Sequence, residues 1–186
     1  MIPERVPYSA DDFDDAVRDF LRETVPQSVM DIGPGAGKYG QMVRDLKAQG
    51  VPLGRSEAIE IDQVYIDHFG LRSIYDFLEL GDATTLPDRA PDAKWDVVIL
   101  GDVLEHFRKS RGVDLLDYLY YRTKFILLII PIDFVQGAWE GHTAEAHIST
   151  WAPEDFTRYK ATVRHADRAE GGPEIMLVTI RGLLDR

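Results

Sequence analysis

The sequence contains no cysteine, which removes disulfide frameworks, thiolate zinc sites and cysteine nucleophiles at once. Any metal ion would have to be held by Asp, Glu and the five histidines. Positive charge is also short. The 21 Lys and Arg stand against 32 Asp and Glu, for a net charge of −11, and no basic run occurs. A protein that grips a phosphate backbone needs clustered Lys and Arg, so the composition argues against nucleic acid as the main partner and favours a small-molecule substrate. Long apolar stretches are missing too. The longest, residues 125–130, is far too short to span a bilayer. The N-terminal MIPERVPYSADDFDD places acids where a secretory signal needs a basic start and an apolar stretch. The expectation is a cytoplasmic protein with no membrane association.

What is present suits one domain. The 186 residues, 45% hydrophobic and 28% charged, suffice for a sizeable core, and neither a repeat nor a linker divides them. Residues 9–24 read as a helix, with Ser9 as cap, Asp11 and Asp12 at the positive end, and Phe13, Val17, Phe20 and Leu21 on one apolar face. Residues 28–33 form a short strand running into the glycine-rich DIGPGAGKYG (31–40). Residues 38–49 form a helix that Gly50 stops. The alternation repeats: strand 58–61, helix 63–69, strand 77–80, strand 95–100 (WDVVIL), helix 112–121 and strand 124–130 (KFILLII). The last is apolar throughout, as a central parallel strand covered on both faces must be. Strands alternating with helices imply a parallel α/β sheet with right-handed crossovers. In the tail, a helix over 153–159 precedes strands 161–165 and 174–180. The pair is joined through Gly171 and Gly172, so one antiparallel strand ends the sheet.

The glycine loop fits two cofactors. Gly35-Ala-Gly37-Lys-Tyr-Gly40 has the G-x-G-x-x-G spacing of dinucleotide enzymes, and Asp31-x-Gly33-x-Gly35-x-Gly37 fits D-x-G-x-G-x-G. Both use glycine to turn sharply and approach the ligand, and both aim helix N-terminal N–H groups at an anion. The same residues can also be no more than a tight strand-to-helix turn. Asp31, just before the glycines, would repel a pyrophosphate but suits a cofactor that carries an ammonium and a sulfonium. Glu60 ends the second strand, where it can accept from a ribose diol, as either cofactor would offer. Gly81-Asp82-Ala83 ends the third, where an Asp can accept from an adenine amino group.

With these pieces in order, the chain resembles the class I S-adenosylmethionine (SAM)-dependent methyltransferases over nearly its whole length. The resemblance rests on VMDIGPGAG (29–37), AIEID (58–62), GDA (81–83), WDVVILGDVLEHF (95–107) and KFILLIIPI (124–132). It implies a Rossmann-like, seven-stranded, mostly parallel sheet in the order 3-2-1-4-5-7-6, with strand 7 antiparallel and helices on both faces. It also implies SAM as cofactor. Asp31, Gly33, Gly35 and Gly37 would cradle the methionine part, Glu60 the ribose, and Asp82 with Ala83 the adenine. Pro34, Tyr39, Ile61, Gly81, Gly101 and Asp102 complete the expected cofactor contacts.

Asp102, Glu105 and His106 follow the fourth strand, at the rim where ligands of such sheets bind. Methyl transfer is an in-line displacement in which the protein aligns the nucleophile and, for an alcohol, assists proton loss. These three are therefore candidate bases, although Asp102 can equally cap a helix and Glu105 be solvated. A helical turn starting at the strand end would put all three on one side. The loop over 131–152, carrying His142, Glu145 and His147 and anchored by Trp151 and Phe156, would bring His147 to face them. Asp102, Glu105, His106 and His147 form an oxygen and nitrogen set able to hold a divalent cation such as Mg²⁺. D-x-x-E-H followed by H-x-x-x-W resembles the metal-assisted O-methyltransferases of ubiquinone biosynthesis and of small-RNA 3′ ends, which have Glu where this chain has Asp102. His68 and His165 match nothing and read as surface or packing residues. The expected activity is O-methylation of a small polar metabolite such as a sugar or phenolic compound. Cover would come from a helix within residues 1–25, from the 131–152 loop or from a partner subunit, an arrangement a homodimer would satisfy. Two rivals remain: methylation of an RNA 3′ end or a protein, and a catalytically silent SAM-binding subunit.

Overall fold

Seven strands carry the fold: β1 Ser28–Ile32, β2 Arg55–Glu60, β3 Phe77–Leu80, β4 Trp95–Gly101, β5 Thr123–Pro131, β6 Ala161–Ala166 and β7 Ile175–Arg181. The helices are α1 Asp14–Thr24, α2 Lys38–Ala48, α3 Gln63–His68, α4 Leu86–Arg89 and α5 Lys109–Tyr120. The computed structural model describes residues 11–138, 146–166 and 172–184; Ser9, His142, Glu145 and Gly171 lie outside them. The sheet order is β3-β2-β1-β4-β5-β7-β6. β1 to β5 pair in parallel, while β7 runs antiparallel to both β5 and β6. This is the expected Rossmann-like sheet.

The central strands show why the apolar runs were unbroken. Along β4, Val97 and Ile99 point to one face and Val98 and Leu100 to the other, and all four are buried because helices cover both sides. Val97 and Ile99 join Phe13, Val17 and Leu21 of the N-terminal helical segment and Met42, Val43 and Leu46 of α2. Val98 and Leu100 join Leu115, Leu116 and Leu119 of α5. Each fully buried aliphatic side chain is worth about 1.5–3 kcal/mol relative to exposure, so this double layer fixes the strand ends rigidly.

Several local expectations shift. α1 begins at Asp14 after a 3-10 turn, Asp11–Phe13. It lies on a sheet face, and Lys38 at the start of α2 pairs with Asp11 and Asp14. α5 starts three residues before the expected Gly112, and α4, with Pro87 in its first turn, was not expected. The helix expected over 153–159 is only a 3-10 turn, Pro153–Phe156. Among the described residues, no helix is long and apolar enough to cross a membrane.

Candidate cofactor and active site

Strand register sets the depth of the cofactor residues. Asp31 lies level with Ala58 on β2 and Ile99 on β4, so Glu60 and Gly101 sit two residues further toward the carboxyl rim. A two-residue step keeps the same sheet face. Asp31 and Glu60 therefore share a face, Asp31 the deeper of the two. They are 2% and 5% exposed.

The chain then turns through Gly33, Gly35 and Gly37, all at positive φ. Gly33 is doubly required: its φ is 65°, and a Cβ there would lie 2.7 Å from Cγ2 of Val103. The glycine loop thus packs on the segment that follows β4. Gly37 opens α2 with no side-chain cap, so the first-turn N–H groups have no side-chain oxygen capping them from that position. Pro34 accepts from the Gly37 N–H at 2.7 Å. Glu60 braces the loop from the side: Oε2 accepts from the Gly35 N–H at 3.3 Å and Oε1 from the Asp62 N–H at 2.9 Å.

Both carboxyls are harder to ionise than usual. Burial pushes Asp31 up to about 7, with the Glu60 carboxylate adding to the rise against the opposing hydrogen bond from Tyr75. Burial also raises Glu60, against hydrogen bonds from backbone N–H groups. Asp31 Oδ2 accepts from the Tyr75 hydroxyl at 2.5 Å. Its Oδ1 is buried without a hydrogen bond among the described residues. A buried carboxylate oxygen in that position is one a cationic ligand group would satisfy.

Further along the rim, Ile61 is 65% exposed beside Glu60. Asp82 follows Gly81 and uses Oδ1 to cap the 3-10 turn that starts at Ala83, accepting from Thr84 N–H and Oγ1 at 2.8 Å each. The Tyr39 ring is buried against Gly101, where a Cβ would come within 2.5 Å of the ring.

After β4, Asp102 adopts φ 51° and donates its N–H to Ile129 on β5 at 2.8 Å. A non-glycine residue in this region is strained, least so for Asp and Asn. The expected helical turn starts only at Leu104, as a 3-10 turn over Leu104–His106. Asp102 precedes it in a left-handed kink and is not brought into the cluster. Glu105, His106 and His147 are: one ligand atom from each lies within 4.8 Å of the others. His147 Nε2 is 4.0 Å from Glu105 Oε1, and the two imidazole centroids are 5.0 Å apart.

The returning loop is sewn onto the turn that carries Glu105. The N–H groups of Ile148 and Ser149 both donate to the Glu105 carbonyl. Trp151 Nε1 donates to Ser149 Oγ at 2.9 Å and the Leu104 carbonyl at 3.2 Å, and its ring stacks on Phe156. Lys109 sits over that ring at 3.8 Å and donates to Asp155 and the Thr150 carbonyl. His106 Nδ1 lies 3.1 Å from the Ala146 carbonyl and His147 Nδ1 3.3 Å from that of Phe134. A carbonyl only accepts, so each ring donates from Nδ1, which leaves Nε2 to face the cluster.

The sheet, with its strand order and antiparallel β7, has the fold of solved SAM-dependent methyltransferases. The methyltransferase domain of bacterial CtHen1-CN superposes with a TM-score of 0.60 at 15% identity, over 89% of this chain and 96% of that one. The N-methyltransferase NodS from Bradyrhizobium japonicum WM9 superposes with a TM-score of 0.65 at 12% identity, over 93% and 99%. The N-terminal domain of EvdMO1, solved with SAH bound, gives 0.64 at 14% identity, over 94% and 82%. No protein-family model and no curated protein matches the chain. At these identities the likeness is one of fold.

Proposed function

We propose that the chain is a SAM-dependent methyltransferase acting on an oxygen of a small polar molecule, of sugar or phenolic type. The observation that carries this reading is the pair of buried carboxyls, Asp31 and Glu60, set on one sheet face beside the glycine-rich start of α2. A dinucleotide pyrophosphate would meet Asp31 there, whereas an amino-acid zwitterion finds a complementary partner in it; Glu60 suits the ribose of either cofactor. The α2 N-terminus would take the methionine carboxylate and Asp31 the ammonium. Glu60 would accept from the ribose hydroxyls, Ile61 would cover one face of the adenine, and Asp82 would accept from its amino group.

Bound SAM supplies a sulfonium methyl group; its transfer breaks the S–C bond, forms a C–O bond and leaves S-adenosylhomocysteine. The Tyr39 ring on Gly101 and the left-handed Asp102 would shape the floor facing the acceptor, and strain of this kind concentrates at functional sites. His106 or His147, through Nε2, would take the acceptor's proton.

Glu105, His106 and His147 also fit a divalent cation as donors. Both imidazoles donate from Nδ1 to carbonyls, as metal-ligating imidazoles do to their outer partners, and Nε2 of each would serve as the ligand atom. Two imidazoles with one carboxylate suit a transition ion better than Mg²⁺. Such an ion would supply Lewis acidity that lowers the pKa of an acceptor hydroxyl. The test is transfer of labelled methyl from SAM to a panel of sugars, phenols, RNA 3′ ends and peptides, with and without chelator. Methylated sugar or phenol is expected. Transfer only to RNA or peptide would replace the acceptor, and no transfer to any acceptor despite tight SAM binding would favour a silent SAM-binding subunit. Activity lost with chelator and restored by a transition ion supports the cation; chelator-resistant activity abolished by His106→Ala supports the imidazole base.

A further inference from the structure

Tyr75 lies in the unremarkable stretch SIYDF, between a 3-10 turn, Leu71–Ser73, and β3. Its ring is 5% exposed and clusters with Ala58, Ile66 and Leu71. It reaches the start of α2 because residue 40 has no side chain: a Cβ on Gly40 would lie 2.3 Å from the ring carbon that bears the hydroxyl. The Gly40 N–H, in the first turn of α2, has no partner within the helix, and it donates to the Tyr75 oxygen at 3.1 Å. A phenol has one proton, and Tyr75 directs it at Asp31 Oδ2, 2.5 Å away. The chain of donation therefore runs one way, from the helix N-terminus through the phenol to the carboxyl. Such chains polarise one another and favour charge at the receiving end.

We propose that Tyr75 is a positioning residue of the cofactor site, its hydroxyl clamping one oxygen of Asp31 so that the other meets the ammonium of the cofactor's amino-acid portion. The inference rests on the SAM reading above. It accounts together for a buried carboxyl with only one oxygen engaged, a glycine that admits an aromatic ring, and a phenol used as a cap.

The groups facing Asp31 fix the direction of the effect. They are Tyr75 before β3, Glu60 at the end of β2 and the Gly40 N–H of α2, while Tyr39 packs on Gly101 at the end of β4. Burial and Glu60 favour the neutral acid, and the Tyr75 and Gly40 hydrogen bonds favour the carboxylate. Losing the Tyr75 hydroxyl thus raises the pH at which Asp31 ionises. A residue that only packed the helix would change affinity without moving that pH.

The test measures binding of S-adenosylhomocysteine by calorimetry from pH 5.5 to 8.5, for the natural protein and Tyr75→Phe. 5′-Methylthioadenosine, which lacks the amino acid, serves as a control. For the natural protein, affinity is expected to rise through about pH 7, where the Asp31 carboxyl ionises. In Tyr75→Phe that midpoint moves to higher pH, and affinity near neutrality falls on the order of tenfold. 5′-Methylthioadenosine binding is expected to change little in either protein. Coincident midpoints, whatever the uniform loss, overturn the inference and leave the cofactor reading standing. No binding by the natural protein at any pH overturns both. Should Tyr75→Phe fail to fold, 3-fluorotyrosine in place of Tyr75 makes a stronger donor and must move the midpoint to lower pH; an unmoved midpoint overturns the inference.

Discussion

Replacing Asp31 by Asn should stabilise the ligand-free protein, and by an amount that depends on pH. In the fold the carboxyl is raised from 3.8 to about 7, a difference of about 3 units at roughly 1.36 kcal/mol each. Ionised Asp31 therefore costs about 4 kcal/mol of stability, with no discount for solvent because the residue is 2% exposed. The raised folded value sets the sign. Below about pH 3.8 folded and unfolded chains are both protonated and nothing is lost. Between about 3.8 and 7 the folded state holds a proton that the unfolded state has released, so stability falls as pH rises; above about 7 the loss is complete. The substituted side chain cannot ionise. Its amide adds a donor whose desolvation costs about 1–3 kcal/mol, but that penalty does not vary with pH. Urea titrations of both proteins at half-unit intervals from pH 4.5 to 8.5 report Asp31 together with its coupling to Glu60, because titrating groups remote from Asp31 cancel in the difference. The stability of Asp31→Asn relative to the natural protein should climb to about pH 7 and level off, by up to about 4 kcal/mol, or on the order of 10 °C in Tm for a chain of this size. A difference flat across that range would refute the burial argument. The same substitution should weaken SAM, since a buried acid kept at such cost is expected at a binding site rather than in a core.

Glu60→Ala removes an acceptor of charge-assisted hydrogen bonds worth about 1.5–3 kcal/mol each, so SAM affinity measured by calorimetry should fall on the order of tenfold or more while the fold survives. Gly112→Ala sets helix propensity against packing. Alanine gains about 1 kcal/mol in a helix interior, but its Cβ would lie 2.8 Å from the Trp151 ring, which is 1% exposed. Overpacking of that kind costs about 1–3 kcal/mol; Tm should fall, and a rise would mean that Trp151 moves freely and does not anchor the loop.

The sheet was legible because its signals are local. β4 and β5 announce themselves as unbroken apolar runs, and Asp31 and Glu60 stand at strand ends that the following glycines and Asp62 mark. Their shared face came only with the β1–β2 register, which sets Asp31 level with Ala58; strand period then carries that face on to Glu60. Tyr75 was illegible for the opposite reason: its partner is 44 residues away, and the space it occupies is set by a glycine on another element. The early start of α5 was hidden because Lys109 and Ser110 are polar and Arg108 gives no side-chain cap. Asp102 was expected on a helical turn with Glu105 and His106. The backbone instead enters a left-handed kink while its N–H continues the ladder to β5, and spacing along the sequence does not encode that choice. The meeting of His147 with Glu105 and His106 was expected from the loop's place at the rim. The anchors that fix it, two N–H groups on the Glu105 carbonyl, are backbone contacts with no sequence signature.

The central claim, that the glycine loop with Asp31 and Glu60 holds SAM, is tested most directly by calorimetric titration of SAM, S-adenosylhomocysteine and NAD(H) into the purified protein at pH 8. There Asp31, which titrates near 7, is charged. The account predicts that SAM and S-adenosylhomocysteine each bind at one site per chain, while NAD(H) produces no saturable heat. Saturable binding of NAD(H) with none by SAM would contradict it, because Asp31 would then sit beside a pyrophosphate it should repel.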